Sequence, residues 1–340
     1  MKRYDFLRWL CFCLMLVIAV SLLVGCNDVV EPVAVATPEP TGTPILVLAT
    51  QAPTPSPDLT AVPTEAPPTL PPTVTLFGQE FDTSAELINL DGVPMENTEE
   101  LFAALPSFPN LTRVEMDNTG LTDDQIGELF YAFPQIRFVW TIQLRYRRYK
   151  LKTDTTAYTT YVTPSHGYPR LTSEDVQSLR YCTELMALDL GHNSISDISF
   201  LEPLTKLEIL ILCDNRVSDI SVLEGLKELS YIELLMNKVT DVSVLATLPK
   251  LLDLHLGSNQ ITDFSPLYAC KQLQRLWVPS QFASTFPKES RAALEENLPD
   301  CVFMFNYASN DGDNHIWRDH PRYHWMRAIF HAGTVAPKVK

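Results

Sequence analysis

His320 and His324 stand one helical turn apart, and of all the pairs in this 340-residue chain they come nearest to a metal-binding pattern. Imidazoles at i and i+4 share a helix face and can hold zinc, but no acidic residue completes a His-Glu-x-x-His motif. The pair is therefore expected on a capping helix with no metal, although four of the seven histidines (His315, His320, His324 and His331) fall in the last 26 residues. Asn310-Asp311-Gly312-Asp313-Asn314 lacks the acid register and terminal Glu of a calcium loop and reads as a turn. No nucleophile elbow or phosphate-binding glycine loop is present, and the 12 glycines are little clustered. Catalytic residues, metal and cofactor are all expected to be none; a hydrolase using the His-rich tail is the alternative in which the protein is an enzyme.

The elements that position any site come from a repeat. Asn193, Asn215, Asn237 and Asn259 lie 22 residues apart, and the frame Leu185-x-x-Leu188-x-Leu190-x-x-Asn193-x-Ile195-x-x-Ile198-x-x-Leu201-x-x-Leu204 recurs around each. The Leu-x-x-Leu-x-Leu stretch predicts a short strand whose leucines point inward and whose alternate residues point out. The asparagine is expected to bury its amide at a turn and satisfy backbone groups there. Ser196-Asp197, Ser218-Asp219, Thr240-Asp241 and Thr262-Asp263 then offer caps for a short helical turn. These aspartates are read as caps, not catalytic acids.

This pattern is that of leucine-rich repeats, and the Asp-Ile-Ser-x-Leu wording over residues 171–279 resembles the internalin-type class of bacterial surface proteins. The resemblance implies an α/β leucine-rich repeat solenoid, with a curved parallel sheet on the concave face and short helices or 3-10 turns on the convex one. It is specific for fold and says little about ligand. Upstream, Ile88-Asn89-Leu90, Val114-Glu115-Met116 and Val139-Trp140-Thr141 recur at spacings of 26 and 25 and predict longer, more helical repeats over 75–142. Residues 143–170 break the period with Arg145, Arg147, Arg148, Lys150 and Lys152 around Tyr146 and Tyr149. This insertion is read as a solvated hairpin; a wall-polymer or glycan site at 145–152 is the alternative. Residues 280–340 are expected to cap the array: a helix from Pro287 to Leu298, a strand at 301–305, and Trp317, Tyr323, Trp325, Met326 and Phe330 over the exposed end.

The outward columns of the array carry the candidate site. Ile209, Ile211, Tyr231, Leu235 and Trp277, with Met236 beside them, form an apolar patch, and Asp189, Glu233, Asp253, His255 and Arg275 surround it with charge. The patch is expected to bind an extracellular protein or peptide, unless the insertion or the tail folds across it. On that reading, replacing Tyr231 and Trp277 with Ala abolishes capture and leaves stability nearly unchanged.

The chain ends set the location. Lys2, Arg3 and Arg8 precede an apolar run ending in Leu23-Val24-Gly25-Cys26, which resembles a bacterial lipobox. Residues 1–25 are expected to be removed and Cys26 acylated, giving a membrane anchor and display on the bacterial cell surface. Residues 26–74 then form a stalk: from Asp28 to Val74 there are twelve prolines, nine threonines and no Lys or Arg. Without residues 1–25 the chain holds 23 Lys and Arg against 40 Asp and Glu, a formal net charge of −17, which disfavours nucleic acid. Cys182, Cys213, Cys270 and Cys301 are scattered and read as free thiols, and the chain is expected to be a monomer.

Overall fold

A computed structural model describes residues 72–145, 149–160, 170–278, 286–305 and 320–332. All lie in the second of the chain's two units, Pro67–Lys340. The signal run, Cys26, nearly all of the stalk, Tyr146, Arg147, Arg148, the turn at 310–314, His315 and Trp317 lie outside the described residues.

An antiparallel hairpin opens the fold, β1 (Thr73–Leu76) with β2 (Gln79–Asp82). Three parallel strands follow, β3 (Leu87–Asn89), β4 (Arg113–Glu115) and β5 (Arg137–Val139). Between them lie α1 (Glu99–Ala104) and α2 (Asp123–Ala132), the latter opened by a Thr122/Gln125 capping box. The register corrects one spacing: Val114 pairs with Phe138, not Val139, so the last step is 24 residues rather than 25. Phe138 and Val139 are both buried, so alternation of apolar and polar side chains could not choose between the two frames.

A second hairpin, β6 (Thr141–Gln143) with β7 (Lys150–Lys152), joins this section to a seven-stranded parallel sheet. The sheet starts inside the segment read as an insertion, at β8 (Ala157–Thr159). It continues through β9 (Ala187–Asp189), β10 (Ile209–Ile211), β11 (Tyr231–Glu233), β12 (Asp253–His255) and β13 (Arg275–Trp277) to β14 (Val302–Met304). Strands of three residues are too short to persist alone; stacking in register makes them one core, with Leu188, Leu210, Ile232, Leu254 and Leu276 paired in a single column. The repeat gives the chain the fold of a leucine-rich repeat solenoid. Its convex side carries 3-10 turns such as Ser221–Gly225, Ser243–Thr247 and Ser265–Ala269, each entered by an Asp that accepts the first N–H of the turn at 2.8–2.9 Å. Those hydrogen bonds hold Asp219, Asp241 and Asp263 below the usual carboxylate range.

The asparagine ladder locks successive units together. Asn215 accepts Ile195 N–H at 3.0 Å through Oδ1 and donates through Nδ2 to the carbonyls of Leu190 at 2.9 Å and Leu212 at 3.1 Å. Asn237 and Asn259 repeat the arrangement one and two units on. The residue before each asparagine, His192, Asp214, Met236 or Ser258, has positive φ, so the chain reverses sharply there.

One glycine fixes the junction between the two sections. A Cβ on Gly127 of α2 would collide with the Tyr181 hydroxyl, and the Tyr181 ring is held by Trp140 and Phe130 at 5.4 and 5.7 Å between centroids. Gly127→Ala should therefore destabilise the protein by about 1–2 kcal/mol in urea denaturation, the overpacking exceeding the helix-propensity gain of about 1 kcal/mol. An unchanged or raised midpoint would show that the ring moves freely.

Candidate functional site

The outward columns converge as their spacing required, but they are covered. Helix α3 (Lys288–Asn297) and β14 close the last unit, whereas the terminal helix α4 (Pro321–Ala332) crosses the concave face instead of capping the end. At about 1.5 Å per residue this helix is about 18 Å long, close to four strand spacings of about 4.8 Å. Arg322 near its start meets Asp253 on β12, and its body packs against β8 and β9.

Beneath it, Met326 and Ile329 form a cluster with Ala157, Ala187, Ile209, Ile211, Tyr231, Trp277 and Met304, separate from the solenoid core. Ile209, Ile211, Tyr231 and Trp277 are thus buried rather than exposed, with Tyr231 3% and Trp277 6% accessible. The helical repeat of apolar side chains in the tail supplies the reason: Met326 and Ile329, three residues apart, share one face and fill the hollow. Replacing Tyr231 and Trp277 with Ala consequently removes packed side chains, so the expectation that stability would stay nearly unchanged is corrected. Leu235 and Glu233 remain half-buried, and Met236, 39% accessible, stands at the edge in its left-handed turn.

The charged residues are also drawn into the seat. Asp253 Oδ1 accepts Arg275 Nε at 2.6 Å from the next strand and Arg322 Nη2 at 3.0 Å from the helix, and Arg322 Nε lies 2.8 Å from Oδ2. Arg322 Nη1 also donates to Gln274 at 2.7 Å. Tyr231 Oη donates to Glu233, and burial followed by the neighbouring Glu233 raises the phenol's pKa well above its ordinary value. The His255 ring stacks on Trp277 at 4.3 Å, and its Nδ1 accepts Gly257 N–H at 3.2 Å, which places the proton on Nε2. Asp189 accepts Thr159 Oγ1 and Gly191 N–H, both at 2.9 Å; burial nevertheless raises its pKa, with Arg327 opposing the rise.

The tail arginines were not foreseen in this role. Their signal was present: Arg322, Met326 and Ile329 follow helical spacing, and Pro321–Ala332 contains no acid. His324 is exposed, while His320 is half-buried and pushed down by burial and by Arg275 and Arg322. Among the described residues no group of three or more His, Cys, Asp or Glu is placed to hold a metal.

One arrangement with the connectivity of a nucleophile, base and orienting acid lies at the rim. His192 Nδ1 is 3.0 Å from Asp214 and its Nε2 is 3.9 Å from Cys213 Sγ. Burial and the carboxylates of Glu233, Asp189 and Asp214 raise the thiol's pKa, opposing the thiolate that catalysis would need. The hairpin alternative loses carriers as well. Lys152 pairs with Asp117 at 3.0 Å and Arg145 with Asp175 at 3.6 Å, so these cations already face acids. Tyr149 is buried.

No protein-family model matches the chain, and no curated protein matches it. Among solved structures it is similar to an internalin of Listeria monocytogenes, at 21% identity and TM-score 0.40 over 63% of this chain and 52% of that one. A leucine-rich repeat protein of Leptospira interrogans aligns at 20% identity and TM-score 0.40 over 65% and 54%. Internalin C2 of Listeria monocytogenes aligns at 19% and 0.33 over 68% and 87%. The chain spans about half the length of the first two. Likenesses at these TM-scores add nothing to the fold assignment, which stands on the repeat, its register and the asparagine ladder.

Proposed function

We propose that this chain is a non-catalytic leucine-rich repeat binding protein, held on the outside of a bacterial cell through acylated Cys26, that captures an extracellular protein or peptide on its concave face. The supporting observation is the second apolar cluster. The solenoid core closes without Ile209, Ile211, Tyr231 and Trp277, yet these side chains and the charges around them already receive one piece of polypeptide, α4. A face that seats a helix through apolar anchors and a charged partner has the makeup of a protein interface. The anchor is supported by Leu23-Val24-Gly25-Cys26 and the Pro/Thr-rich stretch after it; among the described residues no helix is long and apolar enough to cross a membrane.

The test uses the intact protein, immobilised and challenged with culture or host extract. Substitutions belong at the edge: Met236→Glu with Leu235→Glu should abolish capture while costing about 0.5 kcal/mol at exposed Met236 and more at half-buried Leu235. High salt should weaken capture only in part, because the charged contacts are screened and the apolar anchors are not. Capture that survives both substitutions would transfer binding away from this face.

A further inference from the structure

We propose that the concave face is a receptor groove for a basic amphipathic helix and that Pro321–Ala332 is its internal occupant, competing in cis with a partner helix of the same chemistry. The inference rests on the concave-face reading above and specifies its ligand.

The charges match. The face presents three acids, Asp189, Glu233 and Asp253, against one arginine, Arg275, and His255, whereas the helical segment carries Arg322, Arg327, His324 and His331 and no acid, on a chain whose net charge is −15. Recognition then has a pattern. Arg322 reaches Asp253 and Gln274, and Met326 and Ile329, four and seven residues on, enter the hollow lined by Ala187, Ile209 and Ile211. An incoming helix with arginine, methionine or leucine, and isoleucine at i, i+4 and i+7 would present the same face.

The seat is also built to be vacated. Asp253 is 1% accessible with α4 in place, and Asp189 is likewise buried. Burying carboxylates is unfavourable unless a cation arrives with good geometry, and a helix kept only to close a core would meet apolar side chains there. Lifting α4 returns these acids to water and leaves the Leu188–Leu210–Ile232 column untouched, because that column belongs to the other cluster.

The probe is a fluorescent peptide of residues 320–332, titrated into the intact protein, into a Met326→Asp/Ile329→Asp variant that cannot seat its own helix, and into that variant with Asp253→Asn added. The undocked variant should bind the peptide at least tenfold more tightly than the wild type, and Asp253→Asn should remove at least tenfold of that affinity. A peptide with Glu at both arginine positions should not bind. Should the double variant fail to fold, Arg322→Glu undocks the helix from a half-exposed position and replaces it. Equal affinity for wild type and variant overturns the competition in cis; absence of binding to either overturns the helix receptor. Both results leave the wider concave-face reading to the capture experiment above, which uses neither peptide nor tail variant. Wild-type protein sedimenting as a helix-exchanged dimer would overturn internal occupancy.

Discussion

Asp253→Ala should lower the unfolding free energy by about 3–5 kcal/mol, although the side chain lies outside the solenoid's main core. The carboxylate is the counter-charge of Arg275 at 2.6 Å, and Arg275 is itself buried; removing one partner of a buried pair leaves the other charged in a medium that solvates it poorly. The same substitution also removes the acid that meets Arg322, so α4 should loosen with it. Asp253→Leu combined with Arg275→Leu is the informative control. With both charges gone, the loss should shrink to about 1 kcal/mol or vanish, because desolvation offsets most of what a buried pair contributes. Urea denaturation of the single and double variants measures the difference. A single-variant loss below about 1 kcal/mol would mean that Arg275 finds solvent when its acid is removed.

Asn215→Ala should be as severe, on the order of 4 kcal/mol, and for a different reason. Its amide satisfies Ile195 N–H and the carbonyls of Leu190 and Leu212 inside the array, and each buried backbone group left without its partner costs about 1–3 kcal/mol. These bonds cross between units, so the damage should spread to the preceding repeat and broaden the transition. Asp219→Ala, only four residues along, should cost about 1 kcal/mol or less, because its bond to Ser221 N–H is exposed and water can replace it. Similar losses at both positions would show that the ladder is no stronger than the surface turns.

What could be read from the sequence follows from which interactions are local. The 22-residue step fixed strand positions and the inward column because every unit solves the same packing problem. It also separated the turn-forming Asp197 and Asp219 from the outward Asp189 and Asp253. The start of the sheet escaped because Ala157-Tyr158-Thr159 lacks the leucine frame and stands 30 residues before its partner Ala187. The frame at Phe138 escaped because two adjacent buried apolar residues carry no alternation. The cover over the site was harder still: a helix packed on the concave face is a long-range contact set by the complementarity of Arg322, Met326 and Ile329 to side chains such as Asp253, 69 residues before Arg322, and Ile209, 117 residues before Met326. The aromatic, basic tail was visible as a segment needing a surface, but its period does not say which surface.

The most direct test of the central claim, that the concave face is occupied by the chain's own terminal helix, is hydroxyl-radical footprinting of the intact protein read by mass spectrometry. Tyr131, 61% accessible, reports the rate of an open aromatic. Tyr231, Trp277 and Met326 should be strongly protected relative to it, and Tyr231 and Trp277 should become reactive in the Met326→Asp/Ile329→Asp variant while the Leu210 and Ile232 column stays protected. Oxidation of Tyr231 and Trp277 in the wild type at the rate of Tyr131 would contradict the account, because the face would then be open and the helix elsewhere.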